Sequence, residues 1–387
     1  MLMTSKRLDG IGEYYFSKKL QEIQELNKGD IPVINLGIGS PDMPPHEDVI
    51  KALESESVKN NTHGYQSYKG AEALRKAFST WYQQWYQVVL DPATEILPLI
   101  GSKEGIMHIC MTYLNNGDKA LIPNPGYPTY RSAVQLAGGV CVEYDLKEEN
   151  NWEIDFEVLE KQDLIKVKLM WVNYPQMPTG ATGSKELFER IVGFGKKHNI
   201  LICHDNPYSF ILNDHPMSML SVPGAKDVVI ELNSLSKSHN MAGWRVGVLV
   251  GNSKRIEEVL RFKSNMDSGM FLPLQLAASK ALALPSTWFE KVNSVYKARK
   301  VKALELLDLL KCVYAPDQAG LFVWAKIPSK YKDGYELSDE VLYKAKVFIT
   351  PGGIFGSVGD QYVRVSLCSP EANYELSIER IKKNLDL

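Results

Sequence analysis

The chain has 387 residues, more than one hydrophobic core usually serves, so we expect two domains. Its 44 lysines and arginines nearly balance its 46 aspartates and glutamates, and the formal net charge of -2 argues against nucleic acid as a main partner. The five cysteines are scattered, odd in number and without a Cys-x-x-Cys pair, which favours a reducing compartment over a disulfide framework or a metal site.

The first 30 residues are polar, with one helical pattern around residues 14–16 and 20–23. They lack the apolar stretch of a signal peptide. No apolar run in the chain approaches the ~18 residues that a membrane span needs. We therefore expect a soluble cytoplasmic protein with no membrane partner.

Short apolar strands alternate with helical patterns through the middle of the chain. The strand-like segments are residues 97–100, 120–123, 140–144, 167–172, 200–203 and 228–232. This alternation predicts an α/β fold with a mostly parallel sheet covered on both faces, and ligands at the carboxyl ends of its strands. A long helix over residues 288–311 then leads to further strands at 320–324 and 362–367. We expect a large domain over residues 45–275 and a smaller α+β domain formed by 1–44 and 276–387.

The first glycine turn contains Gly37 and Gly39, directly after a strand-like segment. Two glycines alone are a weak signal for a phosphate loop. Because no third glycine follows and no clear helix begins there, the pattern argues against a nicotinamide-binding site.

A second glycine turn, at Gly101, runs directly into a well-marked helix. Its apolar residues follow the i, i+3, i+4, i+7, i+8 spacing from Ile106 to Leu114. A helix N-terminus has free amides and the positive end of a dipole, so it is a natural phosphate site. We therefore expect Ser102 and Lys103 to donate backbone N–H groups to a phosphate.

Two charged residues stand in apolar strand surroundings. Asp205 ends the strand at 200–203, where a carboxylate needs a cationic partner. Arg364 lies within the alternating strand at 362–367, where a guanidinium needs an anion. The alternatives are a helix N-cap for Asp205 and a structural ion pair for Arg364. His204 is read as a buried structural histidine in preference to a general base.

The stretch from Asn233 to Gly247 places Ser234 and Lys237 after a buried strand, with Arg245 eight residues further on. An ammonium there costs several kcal/mol to desolvate unless it is paired or consumed chemically. A Schiff base with a carbonyl cofactor would consume it. A solvated lysine in a strand-to-helix loop is the alternative.

Ser-x-x-Lys followed by Gly-Trp-Arg-x-Gly resembles the signature of pyridoxal-phosphate-dependent aminotransferases of fold type I, classes I and II. The resemblance extends over nearly the whole chain and implies a large domain with a seven-stranded, mostly parallel sheet. Residues 35–39 and 264–271 resemble the aspartate and LL-diaminopimelate aminotransferase-like branch. The implied cofactor is pyridoxal 5'-phosphate, and the implied reaction moves an amino group from an α-amino acid to a 2-oxo acid.

The resemblance implies that Lys237 forms the internal aldimine and then moves the substrate proton. It implies that Ser234 and Arg245 hold the cofactor phosphate, a task that suits a planar guanidinium. Asp205 is expected to pair with the protonated pyridine nitrogen, and Tyr208 to donate to the cofactor O3′.

Four further roles follow from the resemblance, each with an ordinary structural alternative. Tyr127 is expected to stack on the pyridine face, the alternative being a rigid proline-rich loop. Gly39 and Arg364 are expected to meet the substrate α-carboxylate, although Gly39 alone would also suit a turn. Tyr65 is expected to reach the cofactor phosphate of a neighbouring subunit in a homodimer, or else simply to pack in its loop.

One position departs from the family pattern. The family usually has asparagine directly before Pro-Thr-Gly, where its amide bonds the cofactor O3′ and the substrate carboxylate, and this chain has Met177 there. A thioether cannot donate a hydrogen bond. Tyr208 is therefore expected to take more of that task, and we do not transfer it to Asn173.

Two other functions remain open from the sequence. The first is a C–S β-lyase on the same scaffold, which would share the initial deprotonation. The second is a non-enzymatic regulator of transcription, which would need a DNA-binding domain with a basic face, and residues 1–30 are too short to provide one. The amino acid and oxo acid are not legible in the sequence.

Overall fold

The computed structural model describes residues 3–386. The α-helices are α1 Tyr15–Leu26, α2 Glu47–Ser57, α3 Glu72–Tyr86, α4 Ser102–Tyr113, α5 Pro128–Leu136, α6 Phe156–Leu159, α7 Lys185–His198, α8 Leu235–Ser238, α9 Ser253–Lys263, α10 Leu272–Leu282, α11 Ser286–Leu309, α12 Gly334–Ala345 and α13 Glu371–Asn384. The strands are β1 Ile34–Asn35, β2 Ile96–Leu99, β3 Lys119–Asn124, β4 Val140–Asp145, β5 Val167–Val172, β6 Leu201–Asp205, β7 Val229–Ser234, β8 Gly247–Gly251, β9 Phe322–Lys326, β10 Val347–Phe348, β11 Thr350–Pro351 and β12 Tyr362–Ser366. Short 3-10 helices lie at Lys6–Leu8, Glu148–Asn150, Met219–Ser221, Ala225–Asp227, Ala242–Trp244, Gly352–Phe355 and Ser357–Gly359.

The central sheet has seven strands in the order β2-β8-β7-β6-β5-β3-β4. Strands β3 to β7 pair with their neighbours in parallel, and β8 runs antiparallel to both β2 and β7. The expected mostly parallel, seven-stranded fold type I sheet is confirmed. Strand β8 was missed in the sequence because it begins two residues after Arg245, inside the stretch read as a phosphate motif.

Helices cover both faces of this sheet. Along β5, Leu169 and Trp171 pack in one buried apolar cluster, and Met170 and Val172 pack in another. Because successive side chains of a strand point to opposite faces, each face has its own core. This explains why the central strands are continuously apolar and do not alternate with polar residues.

A smaller antiparallel sheet, β11-β12-β9, lies in the C-terminal part of the chain. Strand β12 pairs with β9 so that Arg364 stands opposite Trp324. The N-terminal strand β1 pairs in parallel with β10 and so joins this region. The domain boundaries at residues 44–45 and 275–276 stay a prediction.

The loop after β1 is fixed to the long helix α11 by an ion pair. The two guanidinium nitrogens of Arg299 lie 2.6 and 2.8 Å from the two carboxylate oxygens of Asp42. Such a bidentate pair sets the position of both partners. It therefore anchors the Gly37–Gly39 turn, which lies a few residues before Asp42.

Within residues 3–386, no helix combines the length and the apolarity that crossing a membrane requires.

Candidate active site

A cavity of about 660 Å³, here called the central cavity, lies where the parallel strands of the large sheet end. Ten of the eleven site residues predicted from the sequence line it: Gly39, Ser102, Lys103, Tyr127, Asp205, Tyr208, Ser234, Lys237, Arg245 and Arg364. The eleventh, Tyr65, lies outside and is 93% exposed. The single chain therefore gathers every predicted position except the one expected to serve a neighbouring subunit.

Asp205 is the last residue of β6 and is almost fully buried. Its Oδ2 accepts a hydrogen bond of 2.8 Å from the hydroxyl of Tyr130. Its Oδ1 has no hydrogen-bond partner within residues 3–386. Burial raises the pKa of Asp205 to about 6, while the Tyr130 hydroxyl and the neighbouring His204 act in the opposite direction. The free oxygen is a buried acceptor that lacks a donor, and a protonated ring nitrogen would supply one.

Lys237 lies in the short helix α8, which begins directly after β7. Ser234 caps this helix, and its Oγ accepts from the backbone N–H of Ser236 at 3.2 Å. The Lys237 Nζ donates to the carbonyl oxygen of Gly39 at 2.5 Å. Burial lowers the pKa of Lys237, and the nearby Arg364 and Arg245 lower it further. The amine is thus shifted toward its neutral, nucleophilic form.

The N-terminus of α4 and Arg245 meet at one end of the central cavity. Gly101 precedes α4 with a φ of +80°, and a Cβ there would collide with the Arg245 guanidinium. The first amides of a helix have no intrahelical acceptor, so those of Ser102 and Lys103 are available to an anion. Arg245 Nη1 also lies 3.4 Å from the Ser236 hydroxyl. This end can bind a phosphate.

The Lys103 side chain is partly buried and lies over an aromatic ring of the N-terminal segment. Its Nζ lies 4.7 Å from the centre of the Tyr14 ring. Burial lowers its pKa, and the Arg245 charge adds to the effect. The ring face provides the cation with an attractive partner.

Arg364 stands at the other end of the cavity, 3% exposed. Its Nη2 donates to the Gly37 carbonyl at 2.9 Å, and its Nη1 lies 3.3 Å from the Met177 sulfur. Its Nε lacks a partner in the part of the chain that the structure describes. Burial lowers the pKa of Arg364 to about 10. A buried guanidinium with weak partners needs an anion such as a carboxylate.

Asn173 lines the central cavity, and its amide makes two hydrogen bonds to the backbone. Its Nδ2 donates to the Asp205 carbonyl at 2.6 Å, and its Oδ1 accepts from the Met177 N–H at 2.7 Å. Tyr208 lines the cavity, and burial raises its pKa, which keeps its hydroxyl protonated as a donor. The backbone contacts fix the orientation of the Asn173 amide, and Tyr208 is a second donor on the cavity wall.

Sequence reasoning missed several lining residues. Tyr130, the donor to Asp205, follows Tyr127 by three residues on α5 and could have been found from that spacing. Ser236 lies between two predicted positions. Four missed residues come from the N-terminal segment, namely Tyr14, Phe16, Ser17 and Leu20. Their helix was predicted, but the sequence carries no local signal that it borders the cavity. The others are scattered along the chain: Ile38, Pro207, Ala242, Phe322 and Phe355.

His204 lies one strand position before Asp205 but does not line the central cavity. Its Nδ1 is 2.8 Å from the Glu231 carboxylate and its Nε2 is 3.1 Å from the Tyr174 carbonyl. Glu231 also accepts from the Tyr82 and Ser218 hydroxyls, at 2.9 and 2.8 Å. These contacts of both His204 ring nitrogens favour a structural role for His204 over a role as general base.

A separate cluster contains Glu104, His108 and Asp267, whose ligand atoms lie within 4.8 Å of one another. The Asp267 carboxylate already pairs with the Lys263 ammonium at 2.7 Å through both oxygens. Glu104 accepts the Ile100 N–H at 2.7 Å. Because the lysine supplies the positive charge, we read this cluster as an ion-pair network.

The cavity suits pyridoxal 5'-phosphate on its own chemistry. It offers free amides and a guanidinium at one end, an amine whose pKa burial lowers, and a buried carboxylate oxygen without a donor. The Tyr127 ring provides an aromatic wall. These features match a phosphate, an aldehyde and a pyridine nitrogen on one planar ring.

Comparison with known proteins supports the same chemistry. The family profile described as aminotransferase class I and II matches residues 31–381. LL-diaminopimelate aminotransferase of Dehalococcoides mccartyi is 39% identical over 97% of each chain, and that of Halothermothrix orenii is 41% identical over 98% of this chain and 97% of its own. Among solved structures, apo-BacF from Bacillus subtilis superposes with a TM-score of 0.95 at 37% identity, covering 100% of this chain and 99% of that one. An aminotransferase from Staphylococcus aureus superposes at 0.90 with 30% identity and 98% of both chains covered.

Proposed function

Because the chain belongs to the class I and II aminotransferase family, we propose that its central cavity carries out amino-group transfer with Lys237, Asp205 and Arg364 as the principal residues. Family membership gives the reaction type, pyridoxal-phosphate-dependent transamination between an α-amino acid and a 2-oxo acid. The distribution of roles among the residues is the proposal. One observation carries the proposal: Lys237, Asp205 and Arg364 line the same cavity. The pKa of the Lys237 amine is lowered, and one carboxylate oxygen of Asp205 and the Nε of Arg364 have no hydrogen-bond partner within residues 3–386.

When bound, pyridoxal phosphate supplies an electron sink for the charge that develops on the substrate Cα. In our proposal the amides of Ser102 and Lys103 bind its phosphate, together with Arg245 and Ser234. The Arg245 fork matches phosphate geometry, and the α4 dipole adds to it.

The ring is held by three side chains in this proposal. Asp205 Oδ1 would accept a hydrogen bond from the protonated ring nitrogen, since the other oxygen already accepts from Tyr130, and the carboxylate charge would favour the protonated nitrogen. Tyr127 stacks on the ring face, an arrangement worth about 0.5–1.5 kcal/mol beyond burial. Tyr208 donates to O3′, and it does so without the usual asparagine because Met177 cannot donate.

Proton movement and substrate orientation fall to Lys237, Arg364 and Gly39. The Lys237 amine, whose pKa burial lowers, would act as the general base that takes the proton from the substrate Cα and as the acid that later returns it. Arg364 holds the substrate α-carboxylate with its fork, and the Gly39 turn borders the same place. Fixing that carboxylate orients the Cα–H bond toward the amine.

The C–S lyase alternative has less support. The two curated relatives named above are both LL-diaminopimelate aminotransferases, and neither is a lyase. The lyase would use the same Lys237 proton abstraction, so the cavity alone does not separate the two reactions. Dependence of turnover on a 2-oxo acid does.

We further propose that the enzyme acts as a homodimer in the cytoplasm. Tyr65 is 93% exposed, and it lies on a loop near the exposed Tyr68 and Phe271. Large exposed aromatic side chains of this kind suit an interface with a second copy. The five cysteines are free, which suits a reducing compartment.

The test is chemical labelling of Lys237. Wild-type protein loaded with pyridoxal phosphate and treated with borohydride is expected to carry the pyridoxyl group on the peptide that contains Lys237, because reduction fixes an imine. Lys237→Ala is expected to carry none and to lose transamination by at least about 10²-fold.

Lys300→Ala is the matched control, because the Lys300 Nζ is bonded to the Gln318 carbonyl at 2.7 Å and does not line the cavity. Label on any other lysine, or label retained by the Lys237→Ala protein, contradicts the assignment. Pyruvate released from cystathionine without a 2-oxo acid would favour the lyase.

A further inference from the structure

We propose that His204 is a positioning residue of this site: paired with Glu231 as a buried imidazolium, it keeps the neighbouring Asp205 carboxylate ionised. The inference rests on the proposed function, because it takes Asp205 as the partner of the cofactor ring nitrogen. His204 does not line the central cavity, so it acts only through its neighbour in the strand.

His204 and Glu231 lie side by side in the central sheet. They are register partners on the parallel strands β6 and β7, and both side chains are 0% exposed. Their surroundings include the Phe188 ring of α7, whose centre lies 5.3 Å from that of the His204 ring. Two ionisable side chains in such a place are costly unless they neutralise each other and satisfy their hydrogen-bonding groups.

The contacts of His204 require a hydrogen on each ring nitrogen. Nδ1 lies 2.8 Å from a Glu231 carboxylate oxygen, and Nε2 lies 3.1 Å from the Tyr174 carbonyl oxygen. A carbonyl and an ionised carboxylate both accept hydrogen bonds and cannot donate them. A neutral imidazole has one N–H and would leave one of these contacts without a hydrogen, whereas an imidazolium donates to both.

Glu231 is surrounded by donors, which favours its ionised form. Its Oε1 accepts from the Tyr82 hydroxyl at 2.9 Å. Its Oε2 accepts from the Ser218 hydroxyl at 2.8 Å and from the Met219 backbone N–H at 3.1 Å, in addition to His204. Hydrogen bonds donated to a carboxyl group stabilise the charged form. The two side chains therefore form a buried ion pair with its hydrogen bonds satisfied.

The charge of His204 bears directly on Asp205, the next residue of β6. Burial raises the pKa of Asp205, and the Tyr130 hydroxyl and the His204 charge oppose that rise. The Glu231 charge acts in the raising direction, and its effect is smaller than that of His204. Because a buried site screens charges weakly, the pair as a whole favours the Asp205 carboxylate.

The other titratable side chains that face Asp205 or the pair are tyrosines, and burial raises the pKa of each above its ordinary value. They are Tyr82, Tyr86, Tyr127, Tyr130 and Tyr208. These phenols stay neutral between pH 5 and pH 8. The charges of this group of residues are therefore those of Asp205, His204 and Glu231.

The consequence lies at the ring nitrogen of bound pyridoxal phosphate. An ionised Asp205 favours a protonated ring nitrogen, whereas a neutral Asp205 would donate its own hydrogen to an unprotonated one. His204 lies on the Asp205 side of this contact. Its charge thus stabilises the carboxylate more than it disfavours the ring cation.

Three variants separate the charge of His204 from its packing. His204→Gln removes the positive charge and leaves the Glu231 carboxylate uncompensated. The double variant His204→Gln/Glu231→Gln removes both charges and keeps amides that can form hydrogen bonds. Tyr82→Phe is the matched control, because it takes one hydrogen bond from the same carboxylate without changing any charge.

The first readout is the ring nitrogen itself. Holoenzyme is loaded with 15N-labelled pyridoxal phosphate and observed by NMR at pH 7. We expect the signal of a protonated nitrogen in wild type and in Tyr82→Phe, a shift toward the unprotonated signal in His204→Gln, and most of the protonated signal restored in the double variant. An unchanged signal in His204→Gln overturns the inference. An unprotonated nitrogen in wild type would instead contradict the proposed role of Asp205.

The second readout needs no cofactor. The difference in the free energy of unfolding between a protein and its Asp205→Asn counterpart grows with pH until Asp205 is ionised in the folded chain, which for wild type is near pH 6. We expect His204→Gln to move this point upward by about one pH unit or more, and the double variant to move it less. An equal shift in Tyr82→Phe would show a packing effect and overturn the inference.

If His204→Gln does not fold, the wild-type enzyme decides. NMR of holoenzyme labelled with 15N-histidine, with the His204 signals assigned from the double variant, is expected to show both His204 ring nitrogens protonated at pH 7. A neutral His204 ring overturns the inference and leaves the roles of Lys237 and Arg364 untouched.

Discussion

At the scale of single residues, Asp205 carries a cost when the cofactor is not bound. Burial raises its pKa from 3.8 to about 6 in the folded chain. A carboxyl whose pKa is raised on folding favours the folded state in its neutral form, so its contribution is fully present below pH 3.8. That contribution is lost as the pH rises through about 6. A shift of roughly two pKa units corresponds to about 3 kcal/mol.

The cofactor-free Asp205→Asn variant is therefore expected to be more stable than cofactor-free wild type, because the amide cannot ionise. Its advantage in the free energy of unfolding should grow between about pH 4 and about pH 6 and level off near 3 kcal/mol above that. Urea unfolding of both proteins at several pH values measures it. The same variant should bind pyridoxal phosphate more weakly, since it offers the ring nitrogen no charge. A stability difference that stays flat with pH would show that Asp205 is already ionised in the folded chain.

At the scale of an element, the N-terminus of α4 depends on one glycine. Gly101 has a φ of +80°, and a Cβ there would fall on the Arg245 guanidinium. Gly117 offers a comparison with the same backbone strain, since its φ is +82° and its Cβ position has no neighbour within 4 Å. Comparing the two glycines therefore separates the effect of backbone strain, which both share, from the effect of a collision with Arg245, which only Gly101 has.

Gly101→Ala should weaken pyridoxal phosphate binding by about tenfold or more, because Arg245 must move from the phosphate end. Gly117→Ala should leave that affinity close to wild type, and both variants should lose about 1 kcal/mol of stability from the left-handed backbone. Equilibrium dialysis with the cofactor and thermal unfolding measure the two effects. If both variants lost affinity equally, backbone strain alone would account for the change.

Elements with a strong local period could be predicted from the sequence, and those defined by distant contacts could not. Helix α4 follows from the spacing of Ile106 to Leu114, and the spacing from Ser234 to Arg245 identifies the family. Phe16 and Arg364 lie 348 positions apart in the chain, and only the fold brings them to the same cavity. Local propensity carries no information about such pairs. Strand β8 was not predicted because its five residues directly follow the motif from Ser234 to Arg245, whose sequence pattern indicates ligand binding and not strand structure.

At the scale of the whole molecule, the proposed dimer has a direct test. If Tyr65 of one subunit serves the site that contains Lys237 of the other, two differently defective chains can complement each other. A mixed dimer of Lys237→Ala and Tyr65→Ala chains has one site with both changes and one site with neither.

Co-expressed Lys237→Ala and Tyr65→Ala chains with different tags, purified through both tags, should therefore recover up to about half of the wild-type activity per dimer, since one of two sites is intact. Each variant alone serves as the control. Activity no higher than that of the Tyr65→Ala enzyme would show that Tyr65 acts within its own subunit or not at all. If the enzyme were active but light scattering gave the mass of a monomer, the proposed dimer would be wrong.

Strand β8 joins the two parts of the phosphate end. Its first residue, Gly247, pairs with Leu99 on one side and Ser234 on the other, so a single short strand joins the turn before α4 to the turn that bears Lys237. Until that strand is inserted, the two halves of the anion site belong to separate pieces of sheet. Binding of pyridoxal phosphate during refolding should therefore report the pairing of β8 with β2 and β7. Excess pyridoxal phosphate should stabilise the folded chain over chains in which β8 is unpaired, because it binds only the folded form.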